Sequence, residues 1–127
     1  NATIATTVMD NALTPRGSTT GSLSVTCSND YRGDNSGWSC MSDFADKLLN
    51  TANPSGIAIK TATVGFGGDY SSLRNATTAV DCDAATDDNV KKLCNLGIKG
   101  QGGFYYAESS EDIVNSVKSL TVVWQYH

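Results

Sequence analysis

The 127-residue sequence predicts an α/β fold with a mostly parallel sheet, and three observations predict it. First, Gly56 to Gly67, GIAIKTATVGFG, places β-branched or aromatic residues at Ile57, Ile59, Thr61, Thr63, Val64 and Phe66, the types that suit a pleated, packed surface. Ala58 and Ala62 keep the alternate face apolar, interrupted only by Lys60. A strand apolar on both faces reads as buried between helices. Second, helix-period segments flank this strand. Third, a short aromatic strand, Phe104-Tyr105-Tyr106-Ala107, follows a further helical stretch, the alternation that right-handed crossovers require.

In chain order, residues Asn1 to Thr26 are rich in Thr, Ser, Asn and Gly, with Pro15 and Gly17 as breakers. A short helix or turn is expected around Thr6 to Leu13, and the alternation Ser22 to Thr26 suggests a short exposed strand. Ser28 to Ser39 reads as a polar surface loop. Ser42 has the character of an N-cap, with Asp43 and Asp46 in the first turn. Phe44, Ala45, Leu48 and Leu49 then form an apolar face suited to cover the central strand. Asn53-Pro54-Ser55-Gly56 is a turn leading into that strand, and Gly65, Gly67 and Gly68 release the chain at its carboxyl end. In open parallel sheets that end is where ligands bind.

Beyond the glycines, Asp69 to Ala79 predicts a helix with Leu73, Ala76 and Val80 on one side. Asp81 to Asp88 is an acidic insert. Asn89 to Leu96 is a second helical piece that Gly97 should stop. Gly100-Gln101-Gly102-Gly103 is a tight connection to the aromatic strand. Ser109 or Ser110, followed by Glu111 and Asp112, starts a last helix lined by Ile113, Val114, Val117 and Leu120.

Composition narrows the function classes. Hydrophobic residues make up 39% of the chain, mean hydropathy is -0.24, and the apolar residues are concentrated after Phe44. The first forty residues cannot build a core alone. Net charge is -4, and the nine basic residues are scattered, so neither nucleic acid nor anionic lipid is expected as a partner. No apolar run approaches the roughly 20 residues of a membrane span, and the first residues lack a signal-peptide pattern. Any export signal is therefore expected to have been removed or to lie upstream.

Four cysteines fall as two pairs, Cys27 with Cys40 and Cys82 with Cys94, each enclosing a polar, turn-rich segment. Neither pair has Cys-x-x-Cys spacing and the one histidine is His127, so two local disulfides are expected rather than a metal or redox site. Four cysteines permit three connectivities, and spacing does not select among them. Disulfides imply a periplasmic or extracellular location. Within the Cys27 to Cys40 segment stands Arg32-Gly33-Asp34, a tripeptide that constrained loops display to receptors. The competing reading is an inert solvent-facing turn. The aspartates Asp81, Asp83, Asp87 and Asp88 have some offsets of a calcium loop, but the sixth position is not glycine and Lys92 replaces the required glutamate. Catalytic sets are not visible: there is no Gly-x-Ser-x-Gly, and GFGGDY lacks the lysine of a phosphate loop. Binding without turnover is the expectation.

Strand TATVGFG, a helix, Gly102-Gly103, the aromatic strand FYYAE and the helix SSEDIVNSVKSL together resemble the second half of a von Willebrand factor type A domain, from Ile57 to Leu120. The stretch WSCMSDFADKLLNTANPSGIAIKTATVGFGGDY further resembles the type A domain of PilC/PilY-family type IV pilus tip adhesins. The resemblance implies a partial three-layer α/β/α, Rossmann-like sheet with a disulfide-pinned loop region on its N-terminal side. Residues 1–40 would be a Thr/Ser/Gly-rich insert and 41–127 the C-terminal half of the type A-like domain. It implies an adhesion module on a pilus or cell surface, exported through the periplasm, with pilus subunits or a host receptor as partners. A non-adhesive structural subunit and an α/β-class hydrolase fragment are the alternative readings. Type A domains bind a divalent cation through Asp-x-Ser-x-Ser, a threonine and Thr-Asp-Gly, and this chain contains none of these loops. A magnesium or calcium cofactor is thus implied only with upstream segments. Half of such a sheet leaves an edge to be completed, by the rest of the domain or by a second chain.

Overall fold

The computed structural model describes residues 2–18, 23–26 and 37–115. It is a mixed helix and strand fold with a two-stranded parallel sheet, and its contacts divide it into two compact units, Asn1–Lys60 and Thr61–His127.

In the first unit, helix α1 spans Ala2–Ala12 and α2 spans Gly37–Leu48. Both start earlier than the sequence suggests. For α2 the apolar period runs back through Met41 and Trp38, so Ser42 is an interior residue rather than an N-cap. It is buried, and its Oγ finds no hydrogen-bond partner among the described residues. Leu13, Val25 and Cys40 form the buried cluster, with Met9, Leu23, Phe44 and Leu48 packed on it. Phe44 and Leu48, expected to cover the central strand, are thus engaged within this unit. Residues 23–26 form no ladder. Instead Val25 donates its N–H to Asp10 Oδ1 at 2.7 Å and Thr26 donates to Asp43 Oδ2 at 2.7 Å. Two helix carboxylates replace the sheet partner the alternation called for.

The turn after α2 is organised by one side chain. Buried Asn53 donates through Nδ2 to the carbonyls of Leu48, Asn50 and Ile57 at 2.7 to 2.9 Å, while its Oδ1 accepts from Ser55 N–H at 2.8 Å. Orphan carbonyls at the helix end are thereby satisfied without regular structure.

In the second unit, strand β1 spans Thr61–Phe66, half the length expected from Gly56 to Gly67. Ile57, Ala58 and Lys60 are exposed, and Phe66 is 54% exposed. Burial on both faces therefore fails: among the described residues one face packs against the helix Asp88–Lys99, and Thr63 and Gly65 are buried while Ala62 and Val64 are half-buried. A 3-10 helix, Gly68–Leu73, follows, entered through Gly67 at φ 107. Then come the four-residue helix α3 (Ala79–Cys82), α4 (Asp88–Lys99) and β2 (Gln101–Ala107). One helix was expected over Asp69 to Ala79. The chain makes two short pieces because Thr78 caps a new start, and Val80 lies 78% exposed while Leu73 is buried.

Strands β1 and β2 pair in parallel, Thr63 with Phe104 and Gly65 with Tyr106, with one irregularity at Thr61/Ala62. Helix α4 packs on both strands. Gly97, expected to stop this helix, lies inside it. A Cβ there would sit 2.3 Å from Gly103 O and 2.5 Å from Thr63 Oγ1, so its hydrogen atom is what lets helix and sheet touch. Thr63 Oγ1 donates to Leu93 O at 2.8 Å across the same contact. Leu73, Cys82, Ala85, Val90, Cys94 and Phe104 form the core. A last helix begins at residues 110–115, where Asp112 N–H donates to Ser109 Oγ at 3.2 Å. Ile113 is half-buried and Val114 exposed; Val117 and Leu120 lie outside the described residues.

Candidate functional site

The 3-10 helix packs against both strands, and at the carboxyl end of β2 Arg74, just past that helix, meets Tyr106 and Glu108. Tyr106 and Glu108, two apart on an extended chain, project to the same side. Tyr106 OH donates to Glu108 Oε1 at 2.6 Å, and the same oxygen accepts from Arg74 Nη2. The Arg74 guanidinium carbon lies 5.4 Å from the centre of the Tyr106 ring, a cation–π distance. The hydrogen bond to Glu108 pushes the Tyr106 phenol above its ordinary range. With side chains 60% and 55% exposed, Arg74 and Glu108 form a surface pair, a kind that orients groups more than it stabilises a fold.

Beside this cluster runs an open groove of about 350 Å³ lined by Ser71, Ser72, Arg74, Asn75, Ala76, Asp81 and Ala84. Its far wall is built by a capping box. Thr78 Oγ1 accepts from Asp81 N–H, and Asp81 Oδ2 accepts from Thr77 N–H, Thr77 Oγ1 and Thr78 N–H at 2.9 to 3.0 Å. Those donors, the Thr77 N–H foremost, hold the Asp81 carboxyl below its usual range. What remains for a ligand is hydroxyls, a carboxamide and one face of a guanidinium, a surface for hydrogen bonding. The wall is pinned from behind: Cys82 and Cys94 form a disulfide with Cα atoms 5.6 Å apart, joining α3 to α4.

Of the residues singled out in the sequence, Cys82 and Cys94 are brought together as expected. Cys40 is buried and disulfide-bonded, while Cys27 lies outside the described residues. Arg32, Gly33 and Asp34 also lie outside them. The acidic insert is structural: Asp81 closes the capping box, and Asp87 Oδ1 caps α4 by accepting from Asn89 and Val90 N–H. Among the described residues no group of acidic, Cys or His side chains could hold a metal ion. The Arg74–Glu108 pairing was missed because 34 residues separate its members; the Thr78-x-x-Asp81 box was open to reading. Among the described residues no helix is long and apolar enough to cross a membrane. Compared with protein-family models, curated proteins and solved structures, the chain gives no match.

Proposed function

We propose that the chain is a non-catalytic binding module of an exported surface protein, part of a type A-like domain of the kind carried by type IV pilus tip adhesins. The observation that carries this reading is the parallel β1–helix–β2 crossover. It joins the Gly-Phe-Gly strand end to the Gly-Gly aromatic strand in the order the resemblance implies. In the proposed three-layer arrangement, β1 and β2 are neighbouring strands of a larger sheet and α4 covers one face. The Cys82–Cys94 disulfide supports an oxidising location, and the polar groove at the strands' carboxyl ends offers hydrogen-bonding groups to a partner's surface.

Adhesion is the test. Beads coated with the oxidised protein are presented to epithelial monolayers, with soluble protein as competitor. Saturable, competed attachment is expected. No attachment to the monolayers, by protein whose circular dichroism shows it folded, overturns the reading and favours a structural subunit. Asp34→Ala and Arg74→Ala arms separate the Arg-Gly-Asp tripeptide from the groove as the contact.

A further inference from the structure

Three protein donors hold the Asp81 carboxylate on the groove wall, and all of them reach the same oxygen. Thr77 N–H, Thr77 Oγ1 and Thr78 N–H donate to Oδ2, while Oδ1 has no donor among the described residues. Those donors depress the carboxyl, so the group is ionised at neutral pH and Oδ1 is left as a strong open acceptor. The other polar lining groups are free. The Asn75 carboxamide and the Ser71 and Ser72 hydroxyls make no hydrogen bond among the described residues, and Arg74, which gives Nη2 to Glu108, has further N–H donors to offer. Both walls are fixed before a ligand arrives. Leu73, 1% exposed, anchors the stretch from Ser71 to Asn75 in the core, and Ala76 N–H donates to Leu73 O at 3.0 Å. On the other wall Cys82, next to Asp81, is bonded to Cys94. Backbone held in this way needs no ordering on binding.

We infer, on the reading of this groove as the contact face, that it takes a short neutral saccharide, with Asp81 Oδ1 accepting from one sugar hydroxyl and the Asn75 carboxamide donating to another. Each sugar hydroxyl donates and accepts at once. That matches a groove which offers one open carboxylate oxygen together with several free donors. Charge disfavours the ionic alternatives. An anion would face the Asp81 carboxylate with Arg74 already paired to Glu108, and an ammonium group would satisfy Oδ1 but leave the Asn75 and Arg74 donors unmatched beside a second cation. A protein edge would need an apolar or aromatic anchor. Ala76 and Ala84 are the only apolar side chains that line the groove, enough to meet the C–H face of a sugar ring and too little to seat an anchor. At about 350 Å³ the groove lies at the small end of ligand sites, which suits a short saccharide and not a long chain.

The experiment is an NMR titration of backbone amides in the oxidised 127-residue chain with methyl α-mannoside, methyl β-galactoside and N-acetylglucosamine, and with N-acetylneuraminic acid as the anionic arm. Saturable shifts concentrated in residues 71–84 are expected with at least one neutral sugar, at a dissociation constant of about 1–10 mM, and about tenfold weaker binding of the anion. Asn75→Ala, at an exposed position where the fold is not at risk, should weaken sugar binding about tenfold. No saturable shift with any neutral sugar up to about 100 mM overturns the inference, as do shifts indifferent to Asn75→Ala or an anion bound as tightly as the sugars. The attachment assay keeps the two readings apart. Sugar binding without attachment to monolayers leaves the saccharide site standing and sinks the adhesion reading. Attachment that survives periodate oxidation of the cell-surface glycans, with no sugar bound in the titration, does the reverse.

Discussion

At the scale of single residues, the second unit depends on what is missing from certain side chains. Gly97 allows α4 to touch β2 and Thr63, and a methyl group there would sit inside the van der Waals contact of Gly103 O, a backbone atom that cannot swing aside. Gly97→Ala should therefore destabilise by about 1–3 kcal/mol despite the better helix propensity of alanine, measured as a lower urea midpoint with unchanged slope. Asp81 acts through charge. Its carboxyl is depressed by the Thr77 and Thr78 donors from an ordinary value of 3.8. A group lowered in the folded state adds stability that is present above its unfolded value and disappears as pH falls through the folded one. The capping of α3 should therefore weaken only below about pH 4. Asp81→Asn should remove that acid step from the amide shifts of Thr77 and Thr78 in an NMR titration; an unchanged titration would exclude the capping role.

At the scale of elements, the strongest dependence is that of α3 on α4. A helix of four residues cannot hold itself in water, and α3 has a capping box, the burial of Cys82 and the bond to Cys94 in place of length. The bridge closes a segment with sequence separation 12, for which a loss of about 3 kcal/mol on removal follows from chain entropy. Replacing both cysteines by serine should lower stability by that order and raise hydrogen exchange in α3 well before β1 or β2. Equal exchange across the unit would show that α3 stands without the bridge. The groove wall at Asp81 and Ala84 is part of this element, so the same variant should weaken any partner bound there.

For the molecule as a whole, two clusters with separate memberships, one around Leu13 and Cys40 and one around Leu73 and Cys94, predict two separable unfolding events. Leu13→Ala and Leu73→Ala each empty a site 1% exposed and should cost about 2–5 kcal/mol. Calorimetry should show each variant lowering a different transition, and a single transition lowered equally by both would refute the division. The sequence by itself determined the features whose causes are local. The aromatic strand, the α4 period around Val90, Leu93 and Cys94 and the Asn53 turn rest on neighbours within about a dozen positions, whereas the choice of Cys94 as partner of Cys82 among three possible connectivities is made by the fold. Tertiary structure decided the rest. Gly97 has the composition of a helix stop and acts as a contact because a strand passes over it. The apolar run from Ile57 to Phe66 has the composition of a strand buried on both faces, yet Ile57 and Phe66 remain exposed. Phe44 and Leu48 found Leu13 and Val25 as partners, and Arg74 found Glu108. Periodicity states which side chains need burial or pairing; it does not state against what, because that choice is made between segments far apart in the chain.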